Sequence, residues 1–282
     1  MIYSSHTTKL ILITGASGFI GYQVLLKLTS QKISVKLILR KKMDFPKEIK
    51  KYIKDIIYTK NLFTESKKWW RKVLEDVDIF IHLAWYLNHK DYLNSNKNIE
   101  CMNGTIKIVK SVKDSNLKKF IGIGTFYEYD NSVEYMSTKT QLKPNTLYGS
   151  CKASTFLISS QILKNSGVEF LWIRLFNVFG EGEGLKRLYP YIKNQILKKQ
   201  MVEIINGDDV RDFMNVKDVS KEISKLLFKK TSGAFNLCSG EGKSILSFAK
   251  NLLSKHNSLN LLKDNKVKKN TPKKTIGVKS YP

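Results

Sequence analysis

Two rhythms of apolar and polar residues alternate along the first 180 positions of the chain. Short runs dense in Ile, Leu and Val, such as KLILITGA at 9–16 and KKFIGIGTF at 118–126, alternate with longer amphipathic stretches. Side chains repeat every two residues along a strand and every 3.6 along a helix, so the runs read as strands and the stretches as helices. The pattern predicts strands at 9–16, 34–42, 55–62, 76–85, 118–126 and 168–180, and helices at 18–31, 64–75, 97–115 and 146–165. Strands of this kind, separated by helices, belong to a parallel sheet covered on both faces, which is the doubly wound α/β class. Beyond Gly180 the rhythm loosens into a loop at 181–190, a helix at 191–199 and short strands at 202–205, 212–216 and 233–239. The expected division is a main domain over 1–180, a smaller lobe over 181–262 and a basic tail over 263–282.

With 282 residues, 42% of them hydrophobic, the chain can bury a sizeable core. Cys101, Cys151 and Cys238 show no C-x-x-C or Cys/His spacing, which excludes a disulfide framework and a zinc site and suits a reducing compartment. No basic leader precedes a long apolar segment and no apolar run reaches about 18 residues, so a cytoplasmic protein without a membrane span is expected. The net charge of +25 is nearly all lysine and is dispersed. Dispersed charge reads as a solvated surface that steers anionic ligands, with no nucleic acid as partner. The densest basic run is C-terminal, has little apolar periodicity and is expected to be loose.

The first strand runs into TGASGFIG, which places Gly15, Gly18 and Gly21 between strand and helix. Glycines at this spacing permit a tight turn, close approach of backbone to a pyrophosphate, and close helix packing, while the helix N-terminus offers free N–H groups. The main domain is therefore expected to be a Rossmann-type NAD(P)-binding domain. The second strand ends on Arg40, where an NAD site would carry an acid for the ribose 2′-hydroxyl. A guanidinium suits a 2′-phosphate instead, so NADP(H) is favoured over NAD(H).

Tyr-x-x-x-Lys occurs at Tyr86/Lys90, Tyr135/Lys139, Tyr148/Lys152 and Tyr189/Lys193. With 13 Tyr and 49 basic residues, of which only five are Arg, chance alone supplies about two such pairs. Position separates them. Tyr148 and Lys152 begin a predicted helix between the fifth and sixth strands, near the sheet edge where ligands bind, and the i, i+4 spacing puts both on one face. A cation beside a tyrosine stabilises phenolate and makes it a usable acid/base.

Taken in order, TGASGFIG, HLAW (82–85), IGIGTFYEYD (121–130), YGSCK (148–152), RLFNVFG (174–180) and VRDFMNVKDV (210–219) resemble the extended short-chain dehydrogenase/reductase superfamily. The branch is that of the NAD(P)-dependent sugar-nucleotide epimerases, dehydratases and reductases, and the resemblance spans Leu10 to Ala249. It implies that Tyr148 is the catalytic acid/base, that Lys152 holds the nicotinamide ribose, and that Thr125 hydrogen-bonds the substrate oxygen. It sets Ser17, Phe19, Ile20, Leu62, Leu83, Ala84 and Trp85 along the cofactor, and Phe126 and Tyr127 beside the substrate. Asn177 and Arg211 match groups that contact the substrate diphosphate, a task suited to a bidentate guanidinium, whereas Arg174 is expected to be structural. No metal is implied.

The chain departs from the pattern in four places. Asn61-Leu62 replaces the usual Asp-Leu, and NIECMNGT (98–105) leaves open whether Asn98 or Asn103 matches the branch's asparagine. Phe126 and Tyr127 stand where dehydratases carry an acidic pair, which argues against elimination, and about thirty C-terminal residues match no segment. The resemblance implies reduction of a nucleotide-activated 4-keto-6-deoxyhexose with NADPH, for deoxysugars of surface polysaccharides. A 4-epimerase that retains its NAD is the alternative, and a non-catalytic RNA-binding scaffold is a more distant one. By analogy, a homodimer forms through the helices at 97–115 and 146–165.

Overall fold

The computed structural model describes residues 9–263 and 272–280. The first half comprises β1 (Ile11–Thr14), α1 (Phe19–Ser30), β2 (Val35–Leu39), α2 (Lys47–Lys50), β3 (Ile53–Tyr58), α3 (Lys67–Leu74), β4 (Ile79–His82), α4 (Lys97–Lys113) and β5 (Lys119–Thr125). There follow β6 (Tyr135–Met136), α5 (Leu147–Leu163), β7 (Glu169–Leu175), β8 (Asn177–Phe179), α6 (Leu188–Lys198), β9 (Val202–Glu203) and β10 (Val210–Asn215). The last elements are α7 (Val216–Leu226), β11 (Gly233–Leu237), β12 (Gly242–Ser244), α8 (Ile245–Ser254), β13 (Leu262–Lys263) and β14 (Lys274–Gly277).

Seven strands form one parallel sheet in the order β11-β7-β5-β4-β1-β2-β3. The order reverses direction between β1 and β4, the switch point at which such sheets open a ligand crevice. Alternation along the strands feeds two cores, as period two requires. Ile11 and Ile13 join Leu25 of α1 and Ile223 of α7 on one face, while Leu12 joins Trp70 of α3 and Ile108 of α4 on the other.

The sequence expectation needs correction at four places. The apolar run 168–180 is two strands: β7 ends at Leu175 in the main sheet, and β8 pairs with β10 of a second sheet. Residues 216–237 return to the main layer, because the stripe Val216, Val219, Ile223 and Leu226 packs α7 on α1 and β11 completes the sheet. They therefore lie outside the lobe expected over 181–262. Within the expected tail, residues 274–277 form β14 between β10 and β6. Asp212, fully buried, fixes this strand by accepting from the N–H groups of Ser239 (2.7 Å), Gly240 (2.9 Å) and Gly277 (3.3 Å). Residues 264–271 and 281–282 of that tail lie outside the described residues. The helix expected at 191–199 starts at Leu188, with Pro190 in its first turn, where no donor is needed.

Candidate functional site

Strand β1 ends in a turn at Gly15, whose φ of 76° suits glycine. The Gly18 N–H donates to the Gly15 carbonyl (2.9 Å), and a Cβ on Gly21 would collide with that carbonyl. Helix α1 then starts with Gly18 as its N-cap and no side chain capping it, so the N–H groups of Phe19, Ile20 and Gly21 face outward unpartnered by the helix. Backbone without side chains below and three free donors at a positive helix end suit a pyrophosphate. The residues present therefore fit a dinucleotide.

That turn forms one end of a cleft of about 890 Å³. The cleft also gathers Ser17, Arg40, Leu62, Leu83, Ala84, Trp85, Thr125, Phe126, Tyr127, Tyr148, Lys152, Asn177 and Arg211, so every residue singled out for the cofactor and the substrate lines one space. Asn61 lines it too, but its side-chain oxygen accepts from the Phe63 N–H (3.1 Å), a local turn bond.

Thr146 caps α5 by accepting from the Gly149 N–H (3.1 Å), which puts Tyr148 and Lys152 on successive turns at the cleft floor. Gly149 lets α5 approach closely, because a Cβ there would strike the Tyr127 carbonyl. Tyr148 is held edge-on by the Tyr92 ring at 5.3 Å and the Tyr127 ring at 6.1 Å. Burial raises its pKa and Tyr92 adds to the rise, while a hydrogen bond with Thr125 pulls it back down in part. The phenol is therefore protonated at neutral pH, and the lowered tyrosine pKa expected from the neighbouring lysine is not found. Burial also lowers the Lys152 pKa to about 7. Of the other Tyr/Lys pairs, Tyr135 is exposed on β6, Lys193 meets His256 at 3.1 Å, and Tyr86, although it lines the cleft, donates to Asp91 (2.9 Å).

Beneath the pair, Glu128 is fully buried and accepts from Arg174 Nε (2.6 Å), Trp172 Nε1 (2.9 Å) and the Thr125 N–H (2.8 Å). Arg174 also donates to the Tyr129 hydroxyl (3.0 Å), so both charges are structural. His82 accepts from the Thr14 hydroxyl at Nδ1 (2.8 Å) and donates from Nε2 to Thr105 (3.1 Å), whose own hydroxyl proton goes to the Cys101 carbonyl. Burial, and then Lys152, push the His82 pKa down to about 3, so it is neutral.

Sequence reasoning missed several groups in the cleft. Glu183 is almost fully buried and its Oε2 has no hydrogen-bond partner, while Oε1 accepts from Arg187 (3.3 Å). Burial raises its pKa, with Arg187 opposing. The only signal was an acid set between Gly182 and Gly184. His89 and Tyr92 come from a polar loop with no periodicity to mark them. Asn98, one of the two asparagines left open by the sequence, is fully buried outside the cleft lining and donates to the carbonyls of Tyr92 (2.6 Å) and Ser95 (2.9 Å). Asn177, which the sequence did single out, has a buried Nδ2 without a partner.

Residues 11–238 match the NAD dependent epimerase/dehydratase family. The chain belongs to this family. Within it, the chain is 25% identical over 259 residues to the dTDP-6-deoxy-L-talose 4-dehydrogenase (NAD(+)) of Aggregatibacter actinomycetemcomitans, covering 88% of this chain and 90% of that one. It is likewise 25% identical to the dTDP-D-glucose 4,6-dehydratase of Dictyostelium discoideum, covering 86% of this chain but only 61% of the relative. The fold superimposes on the UDP-N-acetylglucosamine 4-epimerase of Methanobrevibacter ruminantium M1 with a TM-score of 0.80 at 20% identity, over 98% of this chain and 91% of that one. Family membership makes the protein a nicotinamide-dependent enzyme.

Proposed function

We propose that the protein reduces the 4-keto group of a nucleotide-activated 6-deoxyhexose with NADPH. The observation that carries this reading is the fate of the acids around Thr125. Phe126 and Tyr127 stack on each other at 4.3 Å where an elimination would need an acid pair, and Glu128 is locked to Arg174. What remains beside Tyr148 supports proton exchange at one oxygen.

Bound nicotinamide supplies the hydride. The turn at Gly15, Gly18 and Gly21 holds the pyrophosphate, and Lys152 holds the adjoining ribose. Tyr148, kept protonated by burial, donates its proton to the carbonyl oxygen, which is the direction that reduction requires. The Thr125 hydroxyl accepts weakly from the Tyr127 N–H (3.4 Å) and hydrogen-bonds Tyr148, which sets it beside the same oxygen. The Lys152 ammonium stabilises the phenolate left behind. Asn177 Nδ2 and the half-exposed Arg211 guanidinium donate to the diphosphate. Arg40, exposed at the end of β2 and in no ion pair among the described residues, favours the 2′-phosphate of NADP(H), in contrast to the NAD(+) named for the Aggregatibacter relative.

The test is incubation with NADPH and a panel of 4-keto-6-deoxy sugar nucleotides. Stoichiometric NADPH consumption supports reduction. Interconversion of two C4 epimers by protein that retains its nicotinamide through gel filtration overturns it in favour of a 4-epimerase.

A homodimer through α4 and α5 belongs to the same reading. Ile99 on α4 and Leu157 and Ile158 on α5 leave apolar side chains in water on these adjacent helices.

A further inference from the structure

A fully enclosed lysine is a poor cation, because burial penalises its charged form, yet this site needs Lys152 charged. Among the described residues it has no ion-pair partner. From the turn after β5, the Glu128 carboxylate opposes the fall in the Lys152 pKa but is committed to Arg174 of β7, with Trp172 and the Thr125 N–H also on its oxygens. From β4, His82 is neutral, and from α4 the Cys101 thiol is pushed up by burial. On its own helix, Tyr148 is protonated. One ammonium N–H donates to the Ile123 carbonyl at 2.7 Å.

The remaining contact is an aromatic face. Lys152 Nζ lies 3.7 Å from the centre of the Trp85 ring, against 5.8 Å for Trp172 and 5.9 Å for Tyr148. A cation desolvated against an indole face gains more than one in water. The ring is fixed from behind: Trp85 Nε1 donates to Asn98 Oδ1 at 2.8 Å, and Asn98 is pinned through its own amide to the carbonyls of Tyr92 and Ser95. We propose that Trp85, held by Asn98, is a positioning residue whose indole keeps the Lys152 ammonium charged and in place beside Tyr148. The third ammonium proton is then free for a ligand oxygen. The inference concerns the cofactor-free protein and holds whichever sugar is reduced.

The test is titration of lysine side-chain ¹³Cε resonances in the cofactor-free protein, with Lys152 assigned by its loss in Lys152→Met. The Lys152 pKa is expected to fall by about one unit in Trp85→Leu and by less in Trp85→Phe, which keeps a weaker face. The upper pH limb of NADPH binding should move down with it. Replacing tryptophan by fluorotryptophans keeps the shape and drains the ring's negative face, so the pKa should fall stepwise with fluorine number even if Trp85→Leu misfolds. A Lys152 titration unchanged across the fluorinated series overturns the proposal, as does a folded Trp85→Leu protein that titrates like wild type.

Discussion

Tyr148, on the cleft floor, and His82, buried at the end of β4, show burial used twice, once for chemistry and once for stability. Tyr148→Phe removes the proton donor while leaving the ring packed against Tyr92, so turnover should fall by about 10²- to 10⁴-fold. NADPH affinity should stay near wild type, and a fluorescence titration beside a rate assay separates the two. Full activity in this variant would remove Tyr148 from the mechanism. For His82 the sign follows from its depressed pKa: the unfolded chain takes up a proton below pH 6.5, whereas the folded chain does so only near 3. Its contribution to stability is therefore complete above pH 6.5 and is lost as the pH falls toward 3. Between pH 6.5 and pH 5 the loss should be about 2 kcal/mol. Urea denaturation at both pH values checks this, and His82→Gln should be less stable at pH 7 yet lose less on acidification. The string Tyr-x-x-x-Lys did not identify the pair, since three others share the spacing. Its place at the start of a helix beyond the fifth strand did.

At the scale of elements, the parallel sheet was legible because its inner strands are buried on both faces and read as near-continuous apolar runs. What the sequence hid were choices made between elements. Nothing local marks Phe176 as the point where the chain leaves the main sheet, since the partner that captures Asn177–Phe179 is β10, more than thirty residues on. Likewise the apolar stripe of α7 is visible in the sequence, but not that α1 is what covers it. Glu128 is a similar case, an acid beside the active-site threonine whose partner lies on β7. Glu128→Gln should destabilise the fold by about 3–5 kcal/mol, because it strands the Arg174 charge in the core. Equilibrium denaturation measures this, and a change below about 1 kcal/mol would mean that the pair is not the tie between β5 and β7 described above.

At the scale of the whole molecule, the dispersed lysine charge leaves the apolar side chains of α4 and α5 as candidates for self-association. Sedimentation should find a dimer for the wild type and a monomer for the double variant Leu157→Glu, Ile158→Glu, with secondary structure unchanged; a wild-type monomer rejects the pairing. The position of β14 has a consequence for the order of assembly. This strand separates β6 from β10 in the second sheet although it follows them by roughly 140 and 65 residues in the chain. During synthesis the glycine turn, the first five strands and α5 with Lys152 can emerge and form the dinucleotide cleft well before Lys274 does. Arg211 sits on β10, directly against β14. The nascent protein should therefore gain its dinucleotide grip early and its hold on the diphosphate only when the last described strand has slotted in, a long-range closure of the kind that folds slowly.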